Sequence, residues 1–322
     1  MLDDLVRIRS IDVQGMFEFI YSFPEQCEEA MRLARESIRG IRFRNILNLV
    51  ISGLGGSAIG GDMVRMAISG KVSIPVFVNR SYDLPNFADE KTLVVVSSYS
   101  GNTEETLSAF EDALARKAQI IAITTGGELK KRAFEHEIPV ITIPRGLPPR
   151  TALAYSFFSL MVILEEQGII PRKYFNMGGL ADWLRTICDK FWYTVPEQEN
   201  EAKQLARKLY NHIPIVYGTC DITDTIAVRW KGQVNENAKH PAFCNAFPEL
   251  DHNEIMGFEG NRELTSKMFV VILRSPEEND RIKKRIDLTI DLIQGKTGGI
   301  VQVWPEGSSH LERIFYHIVL GD

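Results

Sequence analysis

The chain has little cysteine and little excess charge, and each shortage narrows what it can be. Four of its 322 residues are cysteine (Cys27, Cys188, Cys220 and Cys244), widely scattered and with no CxxC pair. That spacing excludes a disulfide framework and the usual zinc-ligand pattern, and it fits reduced thiols in a cytoplasmic protein. A formal charge of −5 gives no reason to expect nucleic acid or an anionic membrane as a partner. No apolar run approaches the ~20 residues needed to span a bilayer. The opening, MLDDLVRIRSIDVQG, has neither the basic start nor the apolar stretch of a secretory signal. What is present is ordinary for a soluble globular protein, with 44% hydrophobic and 25% charged residues, and the length allows two α/β domains.

The first half alternates strand and helix patterns. A helix is expected over Pro24–Arg39 and a buried strand over Ile46–Ser52; a glycine-rich turn, Gly53–Ser57, then leads into a helix to about Ser69. Further strands are expected at Ile74–Asn79, Thr92–Val96, Gln119–Thr124 and Pro139–Ile143, with a helix opening near Thr103. Strands separated by helices of this length indicate a mostly parallel sheet with helices on both faces, an α/β fold. The proline-rich loop IPRGLPPRT ends this unit, and an apolar helix, Thr151–Gln167, follows. The second half repeats the order in degraded form. Ile213–Gly218 reads as a strand before a turn and a helix. KMFVVIL, SPEEND and the helix Arg281–Ile293 parallel TLVVV, SSYSGN and the helix after it, and Gly299–Val303 matches the strand at Gln119. The expected division is residues 1–180 and 181–322, with a final helix whose apolar face carries Leu311, Ile314, Phe315, Ile318 and Val319 and whose cap is Gly321.

Two strand-to-helix junctions carry chemistry. In SGLGGSAIGGD the glycines let backbone approach a ligand closely, and the following helix start offers unpaired N–H groups to an anion. The same residues fit a loose dinucleotide pattern. The acid expected to hold a ribose is missing, since the second strand ends Val78-Asn79-Arg80, which leaves NADP open and ranks NAD low. A tight turn needed only for packing is the plainer alternative. The second junction, SSYSGNT, gathers hydroxyls and a glycine at the carboxyl edge of the sheet, where ligands bind. Neither loop has a lysine, so the pattern suits a phosphate monoester rather than a nucleoside triphosphate. An ordinary N-cap by Asn102 would account for one side chain but not the cluster.

These residues carry a resemblance. SGLGGSAIGGD and SSYSGNTEET resemble the signatures of the sugar isomerase (SIS) domain, and GQVNENAKH, FPELDHNE and PPRTALAYSF are similar to segments of the bifunctional phosphoglucose/phosphomannose isomerases. The resemblance implies two SIS-type domains per chain and a homodimer. It also implies a sugar-phosphate substrate and a proton transfer through a cis-enediol that needs neither metal nor other cofactor. It assigns phosphate binding to Ser57, Ser98, Ser100 and Thr103, helped by Gly55 and Gly56. It makes Glu236 the base, turns Arg150 toward the enediolate, and has His252 assist ring opening from its own or a neighbouring subunit. Such proteins usually continue to a C-terminal lysine implicated in ring opening, whereas here no lysine follows Lys296.

The residue types suit those roles. A carboxylate is ionised at neutral pH and swings little between two adjacent carbons, and partial burial improves it as a base. Glu236 stands in Asn235-Glu236-Asn237 near the end of an expected helix, and asparagines are poor helix formers. An exposed helix end is the bland alternative. His252 stands among Glu249, Asp251 and Glu254, where it could exchange protons with a ring oxygen. Without the resemblance, a surface histidine after an N-cap Asp251 reads as well, and one histidine among scattered acids gives no metal-ligand spacing. Arg150, after two prolines, is held on a stiff loop where its guanidinium could meet phosphate or enediolate oxygens, or simply water. The competing functions are a non-catalytic phosphosugar sensor, a glucosamine-6-phosphate-forming domain lacking its glutaminase cysteine, and an NADP oxidoreductase.

Overall fold

A computed structural model describes residues 2–171 and 179–322 of the chain. The first half supplies β1 (Asn48–Ser52), β2 (Val76–Asn79), β3 (Thr92–Ser98), β4 (Gln119–Thr124) and β5 (Val140–Thr142). They form an all-parallel sheet in the order β2-β1-β3-β4-β5. All residues of β3 are buried, because a central parallel strand is covered on both faces and has no reason to alternate. On one face Val94 and Val96 meet Phe110, Ala113 and Leu129 from the helices that follow β3 and β4. The helix Leu153–Glu166 is buried through Glu165, as its nearly all-round apolar sequence requires, and packs on helices Phe23–Ser37 and Gly56–Ala67.

The second half supplies β6 (Ile213–Thr219), β7 (Phe243–Phe247), β8 (Met268–Leu273) and β9 (Gly299–Val303), again all parallel, in the order β7-β6-β8-β9. Set beside the first sheet, β6, β7, β8 and β9 take the places of β1, β2, β3 and β4, so the parallel seen in the sequence is a parallel of topology. The strand that the local pattern did not mark is β7, a short edge strand with Cys244 and Asn245 at its centre. Right-handed crossovers then sort the connections. The helix Asp224–Gln233, between β6 and β7, lies on one face with the C-terminal helix His310–Gly321; Trp230 Nε1 donates to the His317 carbonyl at 2.7 Å. The segment between β7 and β8 lies on the other face with helix Asp280–Ile293. There Leu250 and Phe258 share a core with Tyr217, Ile272 and Ile286.

Contacts divide the chain into two compact units, Ser22–Ala181 and Met1–Tyr21 with Asp182–Asp322. The expected division kept residues 1–21 with the first half, whereas here they pack in the second unit. Phe17 and Tyr21 stack against Tyr193 and Trp192, at centroid distances of 4.9 and 4.5 Å, and Tyr21 Oη donates to Asp189 at 2.6 Å. The C-terminal helix has its expected apolar face buried, but Gly321 is its last residue and Asp322 is the cap.

Candidate functional site

At the first junction, helix Gly56–Ala67 starts from Gly55, whose φ of 53° belongs to the left-handed region. No side chain caps this helix, although Ser57 N–H donates to the Leu54 carbonyl at 3.1 Å, and the positive end of its dipole lies at the carboxyl edge of the sheet. A Cβ on Gly56 would stand 2.7 Å from the Pro149 carbonyl oxygen. The glycine therefore allows the loop that bears Arg150 to lie directly against the first junction. Ser57 is half-buried on the first turn of the same helix.

The second junction is a closed knot of hydroxyls. Ser98 Oγ, buried at the end of β3, accepts from Gly101 N–H at 3.1 Å and shares a hydrogen bond of 3.0 Å with Thr103 Oγ1. The exposed Ser100 Oγ accepts from Asn102 N–H at 3.2 Å. Thr103, not Asn102, is the N-cap of helix Glu104–Ala115, and its side chain caps nothing. The Asn102 Oδ1 instead accepts from Glu128 N–H at 2.9 Å, tying this loop to the start of the next helix. The capping role expected of Asn102 thus falls away, and the cluster keeps a helix start without a side-chain cap.

Tyr99, between the two serines, reaches a third loop. Its hydroxyl donates to the Pro144 carbonyl at 3.1 Å and accepts from Leu147 N–H at 2.9 Å. Burial pushes this phenol above its usual range, so it stays protonated and able to donate. The loop it holds runs into the 3₁₀ turn Pro149–Thr151, which carries the partly buried Arg150. The first unit therefore brings Gly55, Gly56, Ser57, Ser98, Ser100, Thr103 and Arg150 onto loops at the carboxyl edge of one sheet, as the sequence led us to expect, and adds Tyr99.

In the second unit the junction equivalent to the one after β3 is filled from within. After β8, the fully buried Glu278 carboxylate accepts from Ser275 N–H at 2.8 Å and from Arg274 Nε and Nη2 at 3.0 and 2.9 Å. The helix start is capped as well, by Asn279 Oδ1 accepting from Ile282 N–H at 3.0 Å. Where the first sheet leaves an uncapped cradle, the second supplies its own carboxylate. Among the described residues, two other groupings look like sites and are not. Cys220, Asp221 and Asp224 bring a thiol and two carboxylates within 4.8 Å of one another after β6, too few donors for the usual zinc or calcium shell. The triplet Gly295-Lys296-Thr297 follows a helix and leads into β9, the reverse of a P-loop's setting.

Glu236 and His252 are exposed, on turns that precede and follow β7. Glu236 lies on a π-helical turn, Val234–Ala238, closed by Lys239 in the left-handed region at φ 54°. Asn235 Nδ2 braces that turn on the His240 carbonyl at 2.8 Å. Single π-turns of this kind are concentrated at functional sites, and of the two costly asparagines Asn235 is the one that braces the turn. His252 ends the 3₁₀ turn Glu249–His252, whose Leu250 packs in the core with Ile286 of helix Asp280–Ile293. The acids beside it do not face the imidazole. Asp251 meets Thr289 and Arg285, and Glu254 meets Tyr217 and Asn245. No local signal in the sequence marked Tyr99 or Tyr217, because each acts through a partner distant along the chain, and Asn245 meets Glu254 only across a turn nine residues long.

Comparison with known proteins agrees with this geometry. Residues 43–162 match the SIS domain family, and residues 198–322 match the bacterial phospho-glucose isomerase C-terminal SIS domain. A bifunctional phosphoglucose/phosphomannose isomerase of Caldicellulosiruptor bescii is 46% identical over 307 residues, covering 95% of this chain and 91% of its own. One from Aquifex aeolicus is 35% identical over 276 residues, covering 85% and 81%. Among solved structures, the C-terminal domain of glucosamine-fructose-6-phosphate aminotransferase from Francisella tularensis superposes with a TM-score of 0.67. It covers 95% of this chain and 93% of its own at 14% identity, a likeness of fold. The chain belongs to the bifunctional phosphoglucose/phosphomannose isomerase family.

Proposed function

We propose that the chain is an aldose–ketose isomerase interconverting glucose 6-phosphate, and mannose 6-phosphate, with fructose 6-phosphate. The observation that carries the site assignment is the contrast between the two sheets. The helix starts after β1 and β3 of the first are left without side-chain caps, while the start after β8 of the second is closed by Glu278 and Asn279; the start after β6, at Thr223, is uncapped as well, so the contrast lies between β3 and β8. In this reading Ser57, Ser98, Ser100 and Thr103, with the N–H groups around Gly55 and Gly56, hold the phosphate. His252 exchanges a proton with the ring oxygen to open the sugar. The Glu236 carboxylate takes the C2 proton and returns it to C1, while Arg150 faces the enediolate oxygen that forms between the two steps. Rotation about the C2–C3 bond presents either face of the enediol, which admits both epimeric aldoses.

A homodimer follows from the same reading. Glu236 and His252 must reach adjacent atoms of one sugar, yet in one chain the turn of Glu236 leads into β7 and that of His252 leaves its far end. A His252 supplied by a second copy resolves this. Among the described residues no helix is long and apolar enough to cross a membrane, and the scattered cysteines suit the cytoplasm, where sugar phosphates are made and used.

The test is conversion of fructose 6-phosphate to glucose 6-phosphate by EDTA-treated protein, with Glu236→Gln alongside. Turnover by the parent and a loss of about 10²–10⁴ in the variant, with fructose 6-phosphate binding retained, is expected. Binding without turnover in the parent would replace the isomerase with a phosphosugar sensor.

A further inference from the structure

The two acids that flank His252 are fastened to different parts of the fold. Asp251 Oδ1 accepts from Thr289 Oγ1 at 2.9 Å, and its Oδ2 lies 3.3 Å from Arg285 Nη1; both partners belong to helix Asp280–Ile293. Glu254 Oε1 accepts from the Tyr217 hydroxyl at 2.7 Å, and Oε2 accepts from Asn245 Nδ2. Those partners stand on β6 and β7, and Tyr217 is fully buried. Burial, and the Glu254 charge beside it, push the Tyr217 phenol well above its usual range, so it remains a donor. A third attachment is apolar, since Leu250 is buried in the core with Phe247 and Phe258. The turn is thus held at residues 250, 251 and 254, and only His252 and Asn253 between them are exposed.

We propose that Asp251 and Glu254 are positioning residues for His252. They clamp the backbone on either side of it to a helix and to two strands, so that the imidazole projects from one fixed place on an otherwise irregular connection. The proposal rests on the ring-opening role given to His252 above. Its physical basis is that acid–base transfer depends on placement within a fraction of an ångström, and an exposed side chain on an irregular segment gains that precision from its supports. Carboxylates serve well here because each has two oxygens and can grip two donors at once, with the added strength of a charged acceptor.

The experiment compares Glu254→Ala, Tyr217→Phe, His252→Ala and the double variant His252→Ala/Glu254→Ala. Tyr217→Phe removes one clamp hydrogen bond while keeping the ring in the core, which guards against a variant that simply fails to fold. Turnover of glucose 6-phosphate is measured beside the binding of sorbitol 6-phosphate, an open-chain polyol phosphate with no ring to open. We expect Glu254→Ala to lower kcat about tenfold and Tyr217→Phe to lower it less, with sorbitol 6-phosphate affinity unchanged in both. In the His252→Ala background Glu254→Ala should cost nothing further. A kcat loss that persists in that background, or one that tracks a parallel loss of sorbitol 6-phosphate binding, overturns positioning and leaves the role of His252 intact. Parental kcat in His252→Ala alone overturns both.

Discussion

Tyr99 lies between two residues assigned to phosphate, yet its hydroxyl serves a different loop. One oxygen both donates to Pro144 and accepts from Leu147, which ties the strand end to the segment leading into Arg150. Tyr99→Phe keeps the ring and removes both hydrogen bonds, leaving a carbonyl and an N–H without their partner. We expect kcat to fall about tenfold as Arg150 loses its setting, while competition by inorganic phosphate stays at the parental value. Equal losses in both would mean that Tyr99 supports the phosphate loop itself. The serines and Thr103 were legible in the sequence because a run of hydroxyls with a glycine at a strand end is a local pattern. Tyr99 was not, since nothing in SSYSGN indicates a partner forty-five residues away. The acids beside His252 misled for the same reason, because adjacency in sequence says little about which way a carboxylate turns.

Two helices in equivalent positions begin in opposite ways, and that difference can be measured. Helix Asp280–Ile293 is capped by Asn279, whereas Thr103, at the head of helix Glu104–Ala115, caps nothing and bonds instead to Ser98. Asn279→Ala should therefore cost about 1 kcal/mol of stability in urea unfolding and leave KM for fructose 6-phosphate alone. Thr103→Ala should raise KM severalfold with a smaller effect on stability. The reverse pattern would place the anion at the second sheet. At this scale most of the fold was legible. The strands of both sheets fall close to the apolar runs that announced them, and Gly299–Val303 agrees residue for residue. What escaped were β7, whose Phe-Cys-Asn-Ala-Phe has no clean alternation, and the π-helical turn under Glu236, which no periodicity encodes.

The second unit also carries a buried histidine that contributes to how the molecule responds to acid. His317 is fully buried in the C-terminal helix, its Nε2 at 2.9 Å from the Arg274 carbonyl. Among the described residues its buried Nδ1 has no hydrogen-bond partner. Burial pushes its pKa down from 6.5 to about 4. Between those values the unfolded chain binds the extra proton, so stability declines as pH falls from about 6.5 toward 4, and the loss is complete below. The decline amounts to roughly 3 kcal/mol. Melting temperatures measured across that range should show it, and His317→Gln should flatten that part of the profile; an unchanged profile in the variant would assign the acid response to other groups.

The sequence by itself determined the alternation of strand and helix, the repetition of that order, and the glycine and hydroxyl loops at two strand ends. These are local properties: the period of side-chain burial, the freedom of glycine and the chemistry of neighbouring hydroxyls are all set within a few residues. Only the tertiary structure decided that Phe17 and Tyr21 pack in the second unit, and that the turn bearing His252 is fastened to β6, β7 and helix Asp280–Ile293. Each of these depends on which distant residues meet, Phe17 with Tyr193 or Glu254 with Tyr217, and such meetings follow from the packing of whole layers and the handedness of their connections rather than from any run of residues.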